Sequence, residues 1–118
     1  MTAMVEEHVD GMIVSDQPEN TTYRRSILEL TNNARIPVVF PFREDFENGA
    51  LIAYGSSLAD VFYHLAEYTD RILKGAQPSE IPIYLVSKFQ LLINLKTAKI
   101  IGLTVPPTLL ARADEVIE

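Results

Sequence analysis

Two apolar runs, Gly11-Met12-Ile13-Val14-Ser15 and Ile36-Pro37-Val38-Val39-Phe40, flank a stretch of helical period, and together they restrict the fold more than any other feature of the chain. Short continuous apolar runs are typical of strands covered on both faces, as in a parallel sheet. Between them, after the polar loop Asp16-Gln17-Pro18-Glu19-Asn20, either Asn20 or Thr21 caps a helix that runs to about Asn33. Its inner stripe is Tyr23, Ile27, Leu30 and Ala34, with Arg24, Arg25 and Glu29 outward and Asn32-Asn33 at its end. Strand, helix and strand in one sheet form a βαβ unit, parallel and right-handed almost without exception. The expected fold class is α/β.

The rest of the chain extends the same layout. Residues Phe42 to Asn48 make a polar or short helical connection, and Ala50-Leu51-Ile52-Ala53-Tyr54 is a third strand. The longest helix follows: Leu58, Val61, Phe62, Leu65, Tyr68, Thr69, Ile72 and Leu73 share one face, Ser57 and Asp60 form a capping-box-like start, and Gly75 ends it. Burying the face from Val61 to Leu73 is worth on the order of 10 kcal/mol, so it needs a partner. Ile83 to Val86 and Phe89 to Ile93 read as two further strands. Asn94 caps a helix from Leu95 to Ile101, stopped by Gly102. Pro106-Pro107 opens a last helix with Leu109, Leu110, Ala113, Val116 and Ile117 as its apolar side. Met1 to His8 reads as the end of a helix whose beginning is absent.

With 118 residues the chain is expected to be one domain, residues 1–118. Sixteen acidic against ten basic residues give a net charge of −6, without a basic cluster, which argues against nucleic acid as a partner. The absence of cysteine excludes disulfides, thiolate catalysis and Cys-based metal sites. The acidic N-terminal stretch is unlike a signal peptide, and no apolar run reaches the ~20 residues that span a bilayer.

In open parallel sheets ligands lie beyond the carboxyl ends of the strands, here the loops Ser15–Pro18, Phe40–Glu44 and Tyr54–Ser57. Asp16 suits a cation or a ligand amine, or is a plain turn aspartate. Phe40, Phe42 and Tyr54 either stack on a flat ligand or belong to the core. Arg43, beside Glu44 and Asp45, is a solvated surface group or a carboxylate clamp. His8 and His64 lack metal-ligand spacing, and no nucleophile, P-loop or dinucleotide motif is present, so neither an enzyme nor a cofactor is expected.

Three segments carry a resemblance to a known family. KFQLLINLKTAK (Lys88 to Lys99) with IIGLTVPPTLLARADEVIE after it resembles the C-terminal end of ABC-transporter substrate-binding proteins. RIPVVFPFREDFENGALIAYG and DRILKGAQPSEIPI resemble two further passages of that family. The resemblance implies part of a type I periplasmic binding protein, in which two α/β lobes close on a small solute. The chain is then the C-terminal segment: Gly11 to about Glu44 in the C-terminal lobe, and the helix from Leu58 to Lys74 crossing over to an N-terminal lobe. It implies no enzyme, a small solute and an ABC transporter permease as partners, a periplasmic or extracytoplasmic location, and ligand-facing positions at Asp16, Gln17, Phe42, Arg43, Tyr54 and Gly55. Without a signal peptide, a complete 118-residue product would instead be cytoplasmic.

Two alternatives stand beside it. DGMIVSDQP followed by a helix and IPVVF resembles a phosphoacceptor receiver domain with Asp16 as acceptor, although the upstream acidic pair and the later Lys-Pro are missing. The other is a self-associating remnant that binds no ligand. In either the fragment or the remnant, the Val61–Leu73 face is expected to make a homodimer.

Overall fold

In a computed structural model that describes residues 6–118, the expected apolar runs become strands of one sheet. β1 (Met12–Ile13), β2 (Val38–Phe40) and β3 (Ile52–Ser56) are parallel neighbours. β4 (Phe89–Asn94) runs antiparallel to β3, and β5 (Glu115–Ile117) runs parallel to β4. The order β1-β2-β3-β4-β5 is a mixed, mostly parallel sheet, an α/β fold as the βαβ run requires. Among the described residues, six α-helices lie in the connections: α1 (Pro18–Thr22), α2 (Arg24–Ala34), α3 (Arg43–Glu47), α4 (Leu58–Leu73), α5 (Leu95–Ile101) and α6 (Pro107–Leu110).

The two-residue period of a strand divides the central rungs between the faces of the sheet. Ala53 and Leu92 are ladder partners and pack with Phe46 of α3. On the neighbouring rung, Ile93 opposite Ile52 packs with Leu51, Ala98, Ile101 and Val105, the side of α5. A further cluster of Val14, Leu28, Ile36, Val38, Phe40 and Ala50 fastens α2 to β2. The caps form where the sequence puts them. Ser57 Oγ accepts from Asp60 N–H at 3.3 Å, Asn94 Oδ1 accepts from Thr97 N–H at 3.1 Å, and Gly75 takes the left-handed φ of 100° just beyond α4. Among the described residues only the Ser57 half of the capping box is made.

Several expectations need correction. The first helix is two, α1 and α2, broken at Tyr23; Leu28 and Thr31 are its buried residues, while Tyr23 and Leu30 are exposed. Arg24 is not outward but paired with the buried Asp45. The last helix stops at Leu110, and Val116 and Ile117 lie in β5, laid against β4. Asp114 prepares that pairing: its Oδ2 accepts from Leu91 N–H at 2.8 Å, and its own N–H donates to the Leu91 carbonyl at the same distance. Ile83 to Val86 is no strand; it is irregular chain without a ladder partner, with Ile83 85% exposed. The helix end expected over Met1–His8 lies outside the described residues as far as Val5; Glu6 is helical and Glu7-His8 a turn.

The 32 residues between Ser56 and Phe89 leave the sheet and return at two residues that are themselves ladder partners. α4, sixteen residues long, has no buried residue, and Phe62 and Leu73 are 65% and 82% exposed. The following strap folds back along it: Tyr68 Oη donates to the Pro82 carbonyl at 2.7 Å, and the His64 and Tyr84 rings stack with centroids 3.8 Å apart. The radius of gyration is 17.8 Å, against about 13.5 Å for a compact domain of this length. α4 projects from the sheet as an arm.

This division predicts unequal costs for truncating apolar side chains. Ile93→Ala, at a site with no exposed surface, is expected to cost about 2–5 kcal/mol. In a protomer whose α4 face is left uncovered, Leu73→Ala is expected to cost less than about 0.5 kcal/mol. Urea denaturation of the two variants checks this; similar losses would mean that α4 is buried in solution.

Candidate functional site

β1, β2 and β3 are parallel, so their carboxyl ends open on the same edge of the sheet, and the loops that follow them meet there. They enclose a cleft of ≈ 390 Å³, lined among others by Ser15, Asp16, Phe42, Tyr54, Ser56 and Phe89. Its size is that of a small-molecule site. The Tyr54 and Phe89 rings stack with centroids 5.8 Å apart and planes at 24°, although both are more than half exposed. An offset aromatic pair left open at the mouth of a cleft offers a face to a flat ligand.

The closeness of β3 to the loop after β2 depends on Gly55. A Cβ built on Gly55 would overlap the Pro41 carbonyl oxygen, so no other residue fits there without moving the cleft floor. Phe42, extended at φ −120° and ψ 151°, is the N-cap of α3 and supplies the opposite wall.

Of the six ligand-facing positions expected from the sequence, Asp16, Phe42, Tyr54 and Gly55 line this cleft. Gln17 does not: it caps α1, its carbonyl accepting from Asn20 N–H at 3.0 Å. Arg43 points elsewhere too, with Nη1 2.7 Å from Glu115 Oε2, a half-exposed pair that joins α3 to β5. Ser15 and Ser56 lie in the expected loops without having been singled out, and Phe89 is a lining residue that sequence reasoning missed. Phe89 reaches the cleft only because it pairs with Ser56 across the antiparallel ladder, a partner 33 positions away. The receiver alternative fails on topology. Doubly wound receiver-like sheets place the first strand inside, in the order 2-1-3-4-5, whereas β1 here is an edge strand and β4 is antiparallel.

Behind the Phe42 wall lies a buried charge. Asp45 is 3% exposed; Arg24 Nε is paired with its Oδ1, and Phe42 N–H donates to its Oδ2 at 3.1 Å. Burial pushes the Asp45 carboxyl above its ordinary value, against the opposing pull of Arg24 and the Phe42 N–H, and Glu44 adds to the rise. Among the described residues no group of His, Asp and Glu is arranged to hold a metal ion.

A second concavity, ≈ 460 Å³ and almost wholly apolar, lies between α4 and the strap, with Val61, Leu65, Tyr68, Ile81, Tyr84 and Val86 in its lining. It has the character of an uncovered packing surface rather than of a site with convergent polar groups.

Comparison with known proteins agrees with this architecture. The family model described as ABC transporter substrate binding protein matches residues 1–117. A crystal structure of a conserved domain protein from Vibrio cholerae O1 biovar eltor shares 24% identity at a TM-score of 0.89, over 97% of this chain and 38% of that one. An ABC domain in complex with L-Trp from Streptococcus pneumonia shares 24% identity at a TM-score of 0.87, over 98% of this chain and 40% of that one. The ligand-free, open structure of a substrate binding protein with adhesive properties from Clostridium difficile shares 20% identity at a TM-score of 0.65, over 98% and 38%. At these identities the likeness is one of fold, and the chain spans well under half the length of each solved protein. No curated protein matches.

The Asp45 pair generates a pH prediction. A carboxyl raised in the folded state favours the protonated form there, so its contribution to stability is fully present below the unfolded value of about 3.9 and is lost as pH rises through the folded value. Wild type is therefore expected to gain thermal stability relative to Asp45→Asn as pH is lowered from 7 toward 4. Melting midpoints of the two proteins across that range check the sign.

Proposed function

This chain belongs to the ABC transporter substrate binding protein family, and from that premise we propose that it forms the C-terminal segment of a two-lobed solute-binding protein, contributing half of a ligand cleft and no catalytic chemistry. The observation that carries the reading is the cleft at the carboxyl ends of β1, β2 and β3, where Phe42, Tyr54 and Phe89 present aromatic surface beside the carboxylate of Asp16. That combination suits a small solute with a flat ring and an ammonium group: rings stack on the aromatic pair, and Asp16 takes the positive charge. The Streptococcus structure in complex with L-Trp, a protein of the same fold, gives a ligand of this chemistry. Gln17 and Arg43 remain part of the proposed ligand-facing surface only if the cleft is extended by further chain. By family the working partner is an ABC transporter permease and the location extracytoplasmic. Among the described residues no helix is long and apolar enough to cross a membrane.

A second part of the proposal concerns the arm. For the 118-residue chain by itself, the Val61–Leu73 face of α4 and its apolar groove exceed what a soluble monomer leaves open, and we infer that a second copy covers them in a homodimer. In a longer protein of the family, the resemblance implies that the same face would pack on the other lobe.

Calorimetric titration with L-tryptophan tests the cleft. Binding is expected to weaken at least about tenfold in both Tyr54→Ala and Asp16→Ala, a loss of about 1.4 kcal/mol each. Unchanged affinity in both variants would move the site elsewhere, and turnover that depends on Asp16, Ser56 or His64 would overturn the non-catalytic reading.

Light scattering tests the arm. The unmutated chain is expected to be a dimer at micromolar concentration, and Phe62→Asp with Leu65→Asp to give monomers that are unstable or aggregate. A stable unmutated monomer would remove the homodimer.

A further inference from the structure

Asp45 does not line the cleft, yet the lining residue Phe42 and two neighbouring segments converge on this one side chain and its backbone. From α2 comes Arg24, paired through Nε with Oδ1; from the β2–α3 junction comes the Phe42 N–H, 3.1 Å from Oδ2; and the Ala50 N–H, at the entry to β3, donates to the Asp45 carbonyl at 3.0 Å. Arg24 stands at the first residue of α2, where the helix dipole opposes a cation, so its placement is accounted for by Asp45 and not by α2. Phe42 is an N-cap residue with no capping side chain of its own, which leaves the Asp45 carboxylate as the group that holds its N–H. Phe46, the next residue of α3, is buried against Ala53 and Leu92, so α3 itself is firmly seated on the sheet.

We propose that Asp45, oriented by Arg24, is a positioning residue for the cleft: its carboxylate fixes the Phe42 backbone and thereby the wall that the Phe42 side chain presents to a solute, a role that presupposes the solute-binding reading given above. The anchor is rigid because α3 is packed from the other side. Removing the carboxylate frees the junction Pro41-Phe42 without touching any lining residue.

The test uses the 118-residue chain, L-tryptophan as probe, and two readouts: affinity by calorimetry, and the NMR order parameter of the Phe42 amide without ligand. The informative variant is Arg24→Met with Asp45→Leu, because replacing a buried ion pair by apolar residues of similar volume is often neutral or stabilising. The fold then stands while the Phe42 N–H has no acceptor. The Phe42 order parameter is expected to fall from about 0.85 to about 0.6 while that of Val39 holds, and affinity to drop about tenfold. Asp45→Asn keeps a side-chain oxygen for the Phe42 N–H and should recover most of both. Ile101→Ala, a destabilised variant in a different cluster, should bind as wild type does. If the double variant matches wild type in either readout, the positioning role is overturned. Should wild type not bind L-tryptophan, the solute reading fails for that probe, and the order parameter alone decides: loss at Phe42 supports the clamp and an unchanged value refutes it. Asp45→Ser, too short to reach the Phe42 N–H, replaces the double variant if that does not fold.

Discussion

Five consecutive residue pairs, from Ile52 opposite Ile93 to Ser56 opposite Phe89, join the early part of the chain to the late part, and almost everything else is built around them. β1 and β2 join the rest of the sheet only through β3, and β5 only through β4. The pairing also sets the two faces: a slip of one residue would turn Leu92 toward α5 and Ile93 toward α3, exchanging side chains between cores of different shape. The antiparallel direction has a second effect. It brings Phe89 beside Tyr54 and so completes an aromatic surface that the parallel strands alone would leave half made.

Most of the fold could be read from the sequence because burial on both faces writes apolar residues at consecutive positions, as in Val38-Val39-Phe40 of β2; β1 at the sheet edge is covered on one side only, with Ile13 82% exposed. The caps at Ser57 and Asn94 were legible for a similar reason: the chemistry that satisfies a helix end is local. What failed was non-local. Ile83 to Val86 has the composition of a buried strand, but a strand is defined by its partner, and this stretch lies along α4 where no ladder is offered. Val116 and Ile117 fit a helical stripe and a strand equally well over three residues, and the β4 edge decided between them. Four of the six positions that the resemblance implied, Asp16, Phe42, Tyr54 and Gly55, come together along the cleft. Gln17 and Arg43 share those loops, but a helix start and Glu115 take them away from the opening.

Charge placement follows the same logic. A net charge of −6 leaves the chain short of cations, and yet Arg24 is committed to an almost fully buried aspartate. Burying an ion pair is a poor route to stability, since desolvation offsets much of the attraction. What such a pair does well is fix geometry, and it stands directly behind a wall of the cleft. The overlap that any side chain at Gly55 would produce with Pro41 acts in the same region by exclusion rather than attraction.

The exit at Ser56 and the return at Phe89 have a consequence for how this architecture can change. Because the two ends of the excursion are already held side by side by the ladder, the sheet does not depend on what lies between them; lengthening a closed loop costs only about 0.6 kcal/mol per doubling. The segment from Ser57 to Lys88 can therefore change in length at little cost while the sheet keeps its register. The arm, and with it the surface it presents, is in effect a single insertion between two fixed posts.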